Sequence, residues 1–148
     1  MRMDIHSHLL PGLDDGVVNF EEAIQVVGQL QDAGYQKLVT TPHIMSDTYR
    51  NEPEIILATL NKLNQKLIEK NIAVTVQAAA EYYLDSWLVN QVNENKPLMT
   101  FGDGYLLFEM NYMTEPYLPN RKAIFFSNSL KLMHPELAIN FSPGLGEV

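Results

Sequence analysis

Strand-like and helix-like segments alternate along this chain, and that order limits the possible folds more than any other feature. Short extended segments are predicted at residues 3–5, 37–41, 72–77 and 105–108. Helices are predicted between them, which gives the order β-α-β-α-β-α-β. Strands joined in this way run parallel through right-handed crossovers, so the expected fold class is α/β, either a barrel or an open doubly wound sheet.

Two predicted helices carry clear start signals. Asn19 followed by Glu22 has the spacing of a capping box, and Gly34 is expected to end that helix. Asn51 is predicted to open the second helix, with Pro53 in its first turn. The third helix is predicted at Ser86–Asn93. The apolar stripe of the second helix consists of Ile56, Leu60, Leu63 and Leu67.

Composition excludes several classes of function. The chain has 148 residues and a formal net charge of −8, and no lysine or arginine cluster suits nucleic acid or anionic lipid. No apolar run approaches the ~20 residues of a spanning helix, and no secretory signal is evident, so we expect a cytoplasmic protein without membrane insertion. Cysteine is absent, which leaves a metal, a hydroxyl or a carboxylate for any hydrolytic chemistry.

Polar residues alternate along the first predicted strand. Asp4, His6 and His8 are spaced by two, which would direct all three side chains to one face. Two histidines so spaced can hold one cation, although such pairs are also common on solvated edges or hydrogen-bonded in a core. Glycines in the following loop, residues 11–16, would let carboxylates approach the same cation. A solvated turn accounts well for Asp14 and less well for Asp15.

Three more polar residues stand where later strands end. His43 follows the second strand, Glu81 follows the third, and Glu109 ends the fourth. Each glutamate alone is more often an ordinary surface carboxylate, but the carboxyl ends of parallel strands converge on one rim. Their joint placement with the histidines therefore predicts a metal site. Imidazole and carboxylate ligands without sulfur suit manganese, iron, zinc or magnesium.

The motif MDIHSHLLPGLDDG at residues 3–16 resembles the polymerase and histidinol phosphatase (PHP) superfamily. Within it, the chain resembles the manganese-dependent protein tyrosine phosphatases of bacterial capsule and exopolysaccharide synthesis. The likeness continues in AGY at 33–35, TPH at 41–43, YRNEP at 49–53, AE at 80–81 and FEM at 108–110. It extends in register as far as Tyr117.

This resemblance implies a PHP-type distorted (β/α)₇ barrel with Mn²⁺ as cofactor. A metal-bridging hydroxide would attack the phosphorus of phosphotyrosine, on a partner such as the tail of a capsule-synthesis tyrosine kinase. Asp15 would support the site, and His43 would lie at its rim as the other catalytic residue. The implied metal ligands are His6, His8, Glu81, Glu109 and, from a later motif, His134.

The chain also departs from the family pattern. Ile44 stands where a second histidine commonly follows Thr-Pro-His. His134 begins a candidate counterpart of the family's His-Pro-Glu-Arg motif, with a chance match as the alternative. Leu137 replaces the phosphate-binding arginine of that motif. A later Ser-Asp-Ala-His motif with two further ligands has no counterpart. We therefore expect a truncated, incomplete barrel, a partial PHP domain over residues 1–148 with a divergent tail at 118–148.

Three functional hypotheses remain open from the sequence. The first is a protein tyrosine phosphatase, or a truncated and inactive member of that family. The second is a PHP-type phosphatase for a small ester such as histidinol phosphate. The third is a catalytically dead module that binds a kinase tail or a full-length homologue. Substrate profiling separates the first two, and binding without turnover would indicate the third.

Overall fold

The helices begin and end largely where their sequences predict. In the computed structural model, Asn19 Oδ1 accepts a hydrogen bond from Glu22 N at 2.9 Å, and helix α1 spans Phe20–Asp32. Gly34 follows with φ +88°, which allows the chain to reverse into the next strand. Helix α2 spans Pro53–Glu69, and α3 spans Ser86–Asn93 with Asp85 as its cap. These observations confirm the three predicted helices.

One predicted cap is wrong. The residue before α2 is Glu52, which makes no side-chain capping bond, and Asn51 does not cap the helix. Its side-chain amide instead donates to two backbone carbonyls, Leu13 O at 2.7 Å and His43 O at 2.8 Å. Asn51 therefore joins the loop at Leu13 to the chain at His43, a long-range role that local spacing does not show.

The structure describes residues 2–109 and two further strands, 123–126 and 129–132; His134 lies outside the described residues. Most of the predicted divergent tail also lies outside them. The strands are β1 Arg2–Asp4, β2 Tyr35–Thr40, β3 His43–Ile44, β4 Thr75–Ala78, β5 Glu81–Tyr83, β6 Leu106–Glu109, β7 Ala123–Phe126 and β8 Ser129–Leu132.

The strands form two sheets. One has the order β1-β2-β4 with all pairs parallel, and the other has the order β3-β5-β6-β8-β7. The pairs β3–β5 and β5–β6 are parallel, whereas β8 pairs antiparallel with β6 and β7. The prediction of parallel strands with helical connections is thus confirmed as far as β6. Beyond it, an antiparallel pair extends the second sheet.

The strands predicted at 37–41 and 72–77 are each followed, after a short break, by a second strand that the sequence did not predict. The first prediction corresponds to β2, which ends before Pro42 as expected because proline has no N–H for the ladder, and β3 begins at His43. The second corresponds to β4, which ends at Ala78, and β5 begins after the break at Ala79 and Ala80. Bonds from Ala79 N to Thr40 O and from Glu81 N to Pro42 O carry the pairing across both breaks. His43 and Glu81 are therefore the first residues of β3 and β5, two neighbouring strands of the second sheet.

The hydrophobic core lies between these sheets and the helices. All four residues of the predicted α2 stripe are buried, and α1 adds Ala23 and Val27. Burying one large aliphatic side chain contributes about 1.5–3 kcal/mol, so this stripe fixes α2 firmly against the sheet. Ile44 is also buried in this core and pairs in register with Tyr82. The position at which the sequence departs from the expected second histidine is therefore a core position.

Candidate metal centre

The first two histidines lie just past the end of β1 rather than on it. The strand ends at Asp4, and the following segment is held to the end of β2 by hydrogen bonds. Thr41 N donates to Ser7 O at 2.6 Å, and Leu9 N donates to the Thr40 hydroxyl at 2.9 Å. These bonds hold the segment in place, and the rings of His6 and His8 lie near one another.

Both histidines have their Nδ1 atoms occupied and direct Nε2 toward the same carboxylate. His6 Nδ1 lies 2.7 Å from the Thr41 hydroxyl, and His8 Nδ1 lies 2.8 Å from Asp14 Oδ2. Glu81 Oε2 lies 3.8 Å from His6 Nε2 and 3.3 Å from His8 Nε2. The two imidazoles therefore share one acidic neighbour.

His43 lies between that carboxylate and a second one. It pairs in register with Glu81, and its Nδ1 lies 3.5 Å from Glu81 Oε2 and 3.6 Å from Glu109 Oε1. His43 Nδ1 is buried and has no hydrogen-bond partner among the described residues. A buried nitrogen without a partner costs free energy, so this atom has the chemistry of a ligand position. His43 lies deeper than the rim position predicted for it.

The geometry yields two overlapping sets of possible ligands. His6, His8 and Glu81 form one set, and His8, Asp15 and His43 form the other, with ligand atoms within 4.8 Å of one another in each. Ligand atoms at about 2.1 Å from one cation lie roughly 3.0–3.6 Å apart. The separations from Glu81 to the histidines fall near this range. The residues present therefore fit the metal that the motif implies.

The charges in the cluster alter the acidity of its members. Burial opposes the charged form of His8, but hydrogen bonds to Asp14 and Glu81, and their charges, outweigh burial and raise the pKa of His8 to about 10. Burial alone would raise the pKa values of Asp14 and Glu81, yet their bonds to His8 and the neighbouring positive charges lower both. In the metal-free protein, His8 and the two carboxylates therefore hold each other in charged form.

Glu109 behaves differently from Glu81. Burial, and then the negative charge of Glu81, raise the pKa of Glu109, although His43 partly offsets them. Its side chain is 33% exposed, against 4% for that of Glu81. Two carboxylates facing one buried histidine repel each other, and a divalent cation between them would remove that repulsion.

The predicted site residues do not all converge. The structure brings together His6, His8, Asp15, His43 and Glu81, and Glu109 reaches them through His43. Asp4, the last residue of β1, belongs to neither set of possible ligands. The sequence therefore located the cluster but overstated its regularity.

The interpretation of the two aspartates has to be corrected. Asp14, for which a solvated turn seemed adequate, has a side chain only 1% exposed, whereas that of Asp15 is 69% exposed. Asp15 Oδ1 still lies 3.5 Å from His43 Nε2. Tyr49 was also missed: its ring stacks on His43 with centroids 5.4 Å apart and planes at 11°. The YRN segment could have drawn attention to Tyr49, but its partner could not be inferred.

Fold and site together define an α/β protein with a candidate metal centre formed by residues that follow β1, open β3 and β5, and end β6. The chain belongs to the family described as capsular polysaccharide synthesis, CpsB/CapC, whose family model matches residues 2–125. This agrees with the resemblance seen in the sequence motifs.

Individual relatives agree with that assignment. Tyrosine-protein phosphatase YwqE of Bacillus subtilis (strain 168) is 26% identical over 139 residues, which cover 90% of this chain and 54% of the relative. CapC of Staphylococcus aureus, which carries a provisional tyrosine-protein phosphatase name, is 28% identical over 120 residues. These residues cover 80% of this chain and 47% of the relative. The chain thus spans about half the length of these relatives.

A solved structure is similar as well. It comes from the crystal structures of YwqE from Bacillus subtilis and CpsB from Streptococcus pneumoniae, described as unique metal-dependent tyrosine phosphatases. The TM-score is 0.67 at 27% identity, over 75% of this chain and 45% of that one. Within the part of this chain that the structure describes, no helix is both long and apolar enough to cross a membrane.

Proposed function

We propose that this chain carries the amino-terminal part of a metal-dependent protein tyrosine phosphatase site that acts in capsule or exopolysaccharide regulation. The main support is the arrangement of three imidazoles around Glu81 Oε2, at 3.3, 3.5 and 3.8 Å. Burying such a cluster costs free energy unless a cation or a proton offsets it. The names of the relatives supply the reaction class.

The proposed cofactor is Mn²⁺, bound by His6, His8, Glu81, Glu109 and His43, with Asp15 beside them. Imidazole and carboxylate donors without sulfur support this choice. When bound, the cations would activate a water and neutralise the oxygens of the phosphoryl group. His134 stays a predicted ligand.

Residues of this chain would orient the histidine ligands and the substrate. Thr41 and Asp14 hold the Nδ1 atoms of His6 and His8, so both Nε2 atoms face inward. The half-buried ring of Tyr49 forms an aromatic side of the site against His43, which suits the phenyl ring of phosphotyrosine. We propose a phosphotyrosine protein, such as the tail of a capsule kinase, as substrate, and a cytoplasmic location as expected from the sequence.

The proposed fold is that of a PHP-type distorted barrel, of which the described residues would form one part. Parallel strands interrupted at equivalent places, and the similarity to the solved relative, support this proposal. In such a barrel the carboxyl ends of the strands would surround the metal centre.

The test is phosphate release from a tyrosine phosphopeptide by the purified 148-residue chain with Mn²⁺. We expect release that EDTA stops, that added Mn²⁺ restores, and that thiol reagents leave unchanged, because cysteine is absent. Glu81→Gln should abolish it, whereas Glu69→Gln, an exposed change at the end of α2, should not.

Other outcomes would redirect the proposal. Faster turnover of histidinol phosphate than of the phosphopeptide would indicate a small-ester phosphatase. Capture of the phosphopeptide without turnover, with Mn²⁺ bound, would indicate a binding module and deny the activity to this chain.

A further inference from the structure

Asp14 is a buried carboxylate inside a surface loop. Its Oδ2 accepts from His8 Nδ1 at 2.8 Å and from the backbone N of His43 at 3.0 Å, and its Oδ1 accepts from Gly16 N at 2.9 Å. The side chain is only 1% exposed. Both oxygens are thus committed to protein donors, and one of them joins two histidines of the candidate centre.

The loop is shaped so that Asp14 can reach these partners. Val17 N donates to His8 O at 3.2 Å, so the chain folds back directly over His8. A Cβ at Gly16 would collide with the Cβ and the carbonyl oxygen of His8, so only glycine fits at this approach. The tight turn brings the carboxylate of Asp14 within hydrogen-bond distance of His8 Nδ1.

We propose that Asp14 is a positioning residue that orients His8 and His43 for metal binding without touching the metal itself. When the ring of His8 gives up one proton to become a ligand, a carboxylate at Nδ1 keeps the remaining proton on that nitrogen, so the free lone pair is the one on Nε2, which faces Glu81. The same oxygen holds the backbone of His43 at the start of β3. The inference rests on the proposed metal centre and adds to it the residue that sets its geometry.

Asp14 should affect metal binding more than Thr41, the residue that contacts Nδ1 of His6. His6 Nδ1 contacts the neutral hydroxyl of Thr41, whereas His8 Nδ1 contacts a carboxylate, which is the stronger acceptor. His8 also belongs to both sets of possible ligands, and His43 belongs to the second. Loss of Asp14 would therefore disturb both sets at once.

The experiment compares Asp14→Asn with Asp32→Asn in the full 148-residue chain. Asp32 is an exposed residue at the end of α1, so its variant loses the same charge away from the site. Two quantities are measured: the ring ¹⁵N shifts of His8 in metal-free protein, and the Mn²⁺ dissociation constant by calorimetry. Neither requires turnover of a phosphate ester, so a failure of the proposed activity would be seen separately.

In the wild-type chain and in Asp32→Asn, we expect Nδ1 to be the nitrogen of His8 that keeps its proton when the ring becomes neutral. In Asp14→Asn, the Nδ1 signal should change and Mn²⁺ binding should weaken roughly 10–100-fold, as is typical when a metal ligand loses its hydrogen-bond partner. Unchanged Mn²⁺ affinity in Asp14→Asn would overturn the inference. So would a wild-type His8 without a proton on Nδ1, and that measurement decides the question even if the variant fails to fold.

Discussion

Glu81 Oε2 lies 3.3 Å from His8 Nε2, although Glu81 belongs to one sheet and His8 follows a strand of the other. Glu81 opens β5 directly after the break at Ala79 and Ala80, and His8 follows β1. The carboxylate is 4% exposed and borders three imidazoles, so it is the central member of the cluster.

Replacing Glu81 with glutamine should therefore abolish metal binding. The amide keeps the size of the side chain but removes its charge and one acceptor oxygen, so we expect Mn²⁺ affinity to fall by about 100-fold or more. Elemental analysis after dialysis against Mn²⁺ measures this directly. Glu69→Gln should retain the wild-type metal content, and equal contents in the two variants would show that Glu81 is not a ligand.

The stability of the metal-free protein should peak in mildly acidic solution. The pKa of His8 is raised from 6.5 to about 10, so its contribution is complete below about 6.5 and is lost as pH rises through about 10. The pKa values of Asp14 and Glu81 are lowered from 3.8 and 4.5, so their contributions are present above those values and are lost in stronger acid. Melting temperatures in EDTA should therefore decline on both sides of roughly pH 5–6.5.

The alkaline side of this profile has its own control. His8→Gln should lose the decline above neutral pH, because the group that titrates there is gone. A wild-type melting temperature that stays level from pH 6.5 to 10 would contradict the charged pairing of His8 with its two carboxylates.

Much of the site follows from local sequence, and its remaining details depend on long-range contacts. His43 and Glu81 could be located because each comes directly after a short apolar strand, and such strand ends converge. The buried position of Asp14 could not be predicted from the sequence, because it depends on a backbone N–H at His43, far along the chain. Helix spacing suggested a cap at Asn51, but its amide has two tertiary acceptors instead.

Asn51→Ala should destabilise the fold without a change in any proposed ligand. Its side-chain amide donates to Leu13 O and His43 O, and alanine would leave both carbonyls without this donor. We expect a loss of about 1–3 kcal/mol, which lowers the melting temperature of the metal-free protein by roughly 3 °C or more. Asn61→Ala, at an exposed position of α2, should be neutral or slightly stabilising because alanine favours helix. Equal melting temperatures for the two variants would deny Asn51 this structural role.

Gly16→Ala should damage the metal centre through His8. The added Cβ would collide with the Cβ and carbonyl oxygen of His8, and both belong to a segment held tightly to β2. His8 would have to shift away from Glu81, so we expect Mn²⁺ affinity to fall by about tenfold or more. The matched control is Gly28→Ala inside α1, where the new Cβ meets only Ile72 Cδ1 at 3.9 Å.

That control should raise stability by about 0.5–1 kcal/mol, because glycine is costly within a helix, and it should leave Mn²⁺ binding unchanged. The comparison uses the same chemical change at both positions, so a difference in metal affinity reports only the position. If Gly16→Ala bound Mn²⁺ as tightly as Gly28→Ala, the loop would be able to move without His8. The close approach of Gly16 to His8 would then have no part in shaping the site.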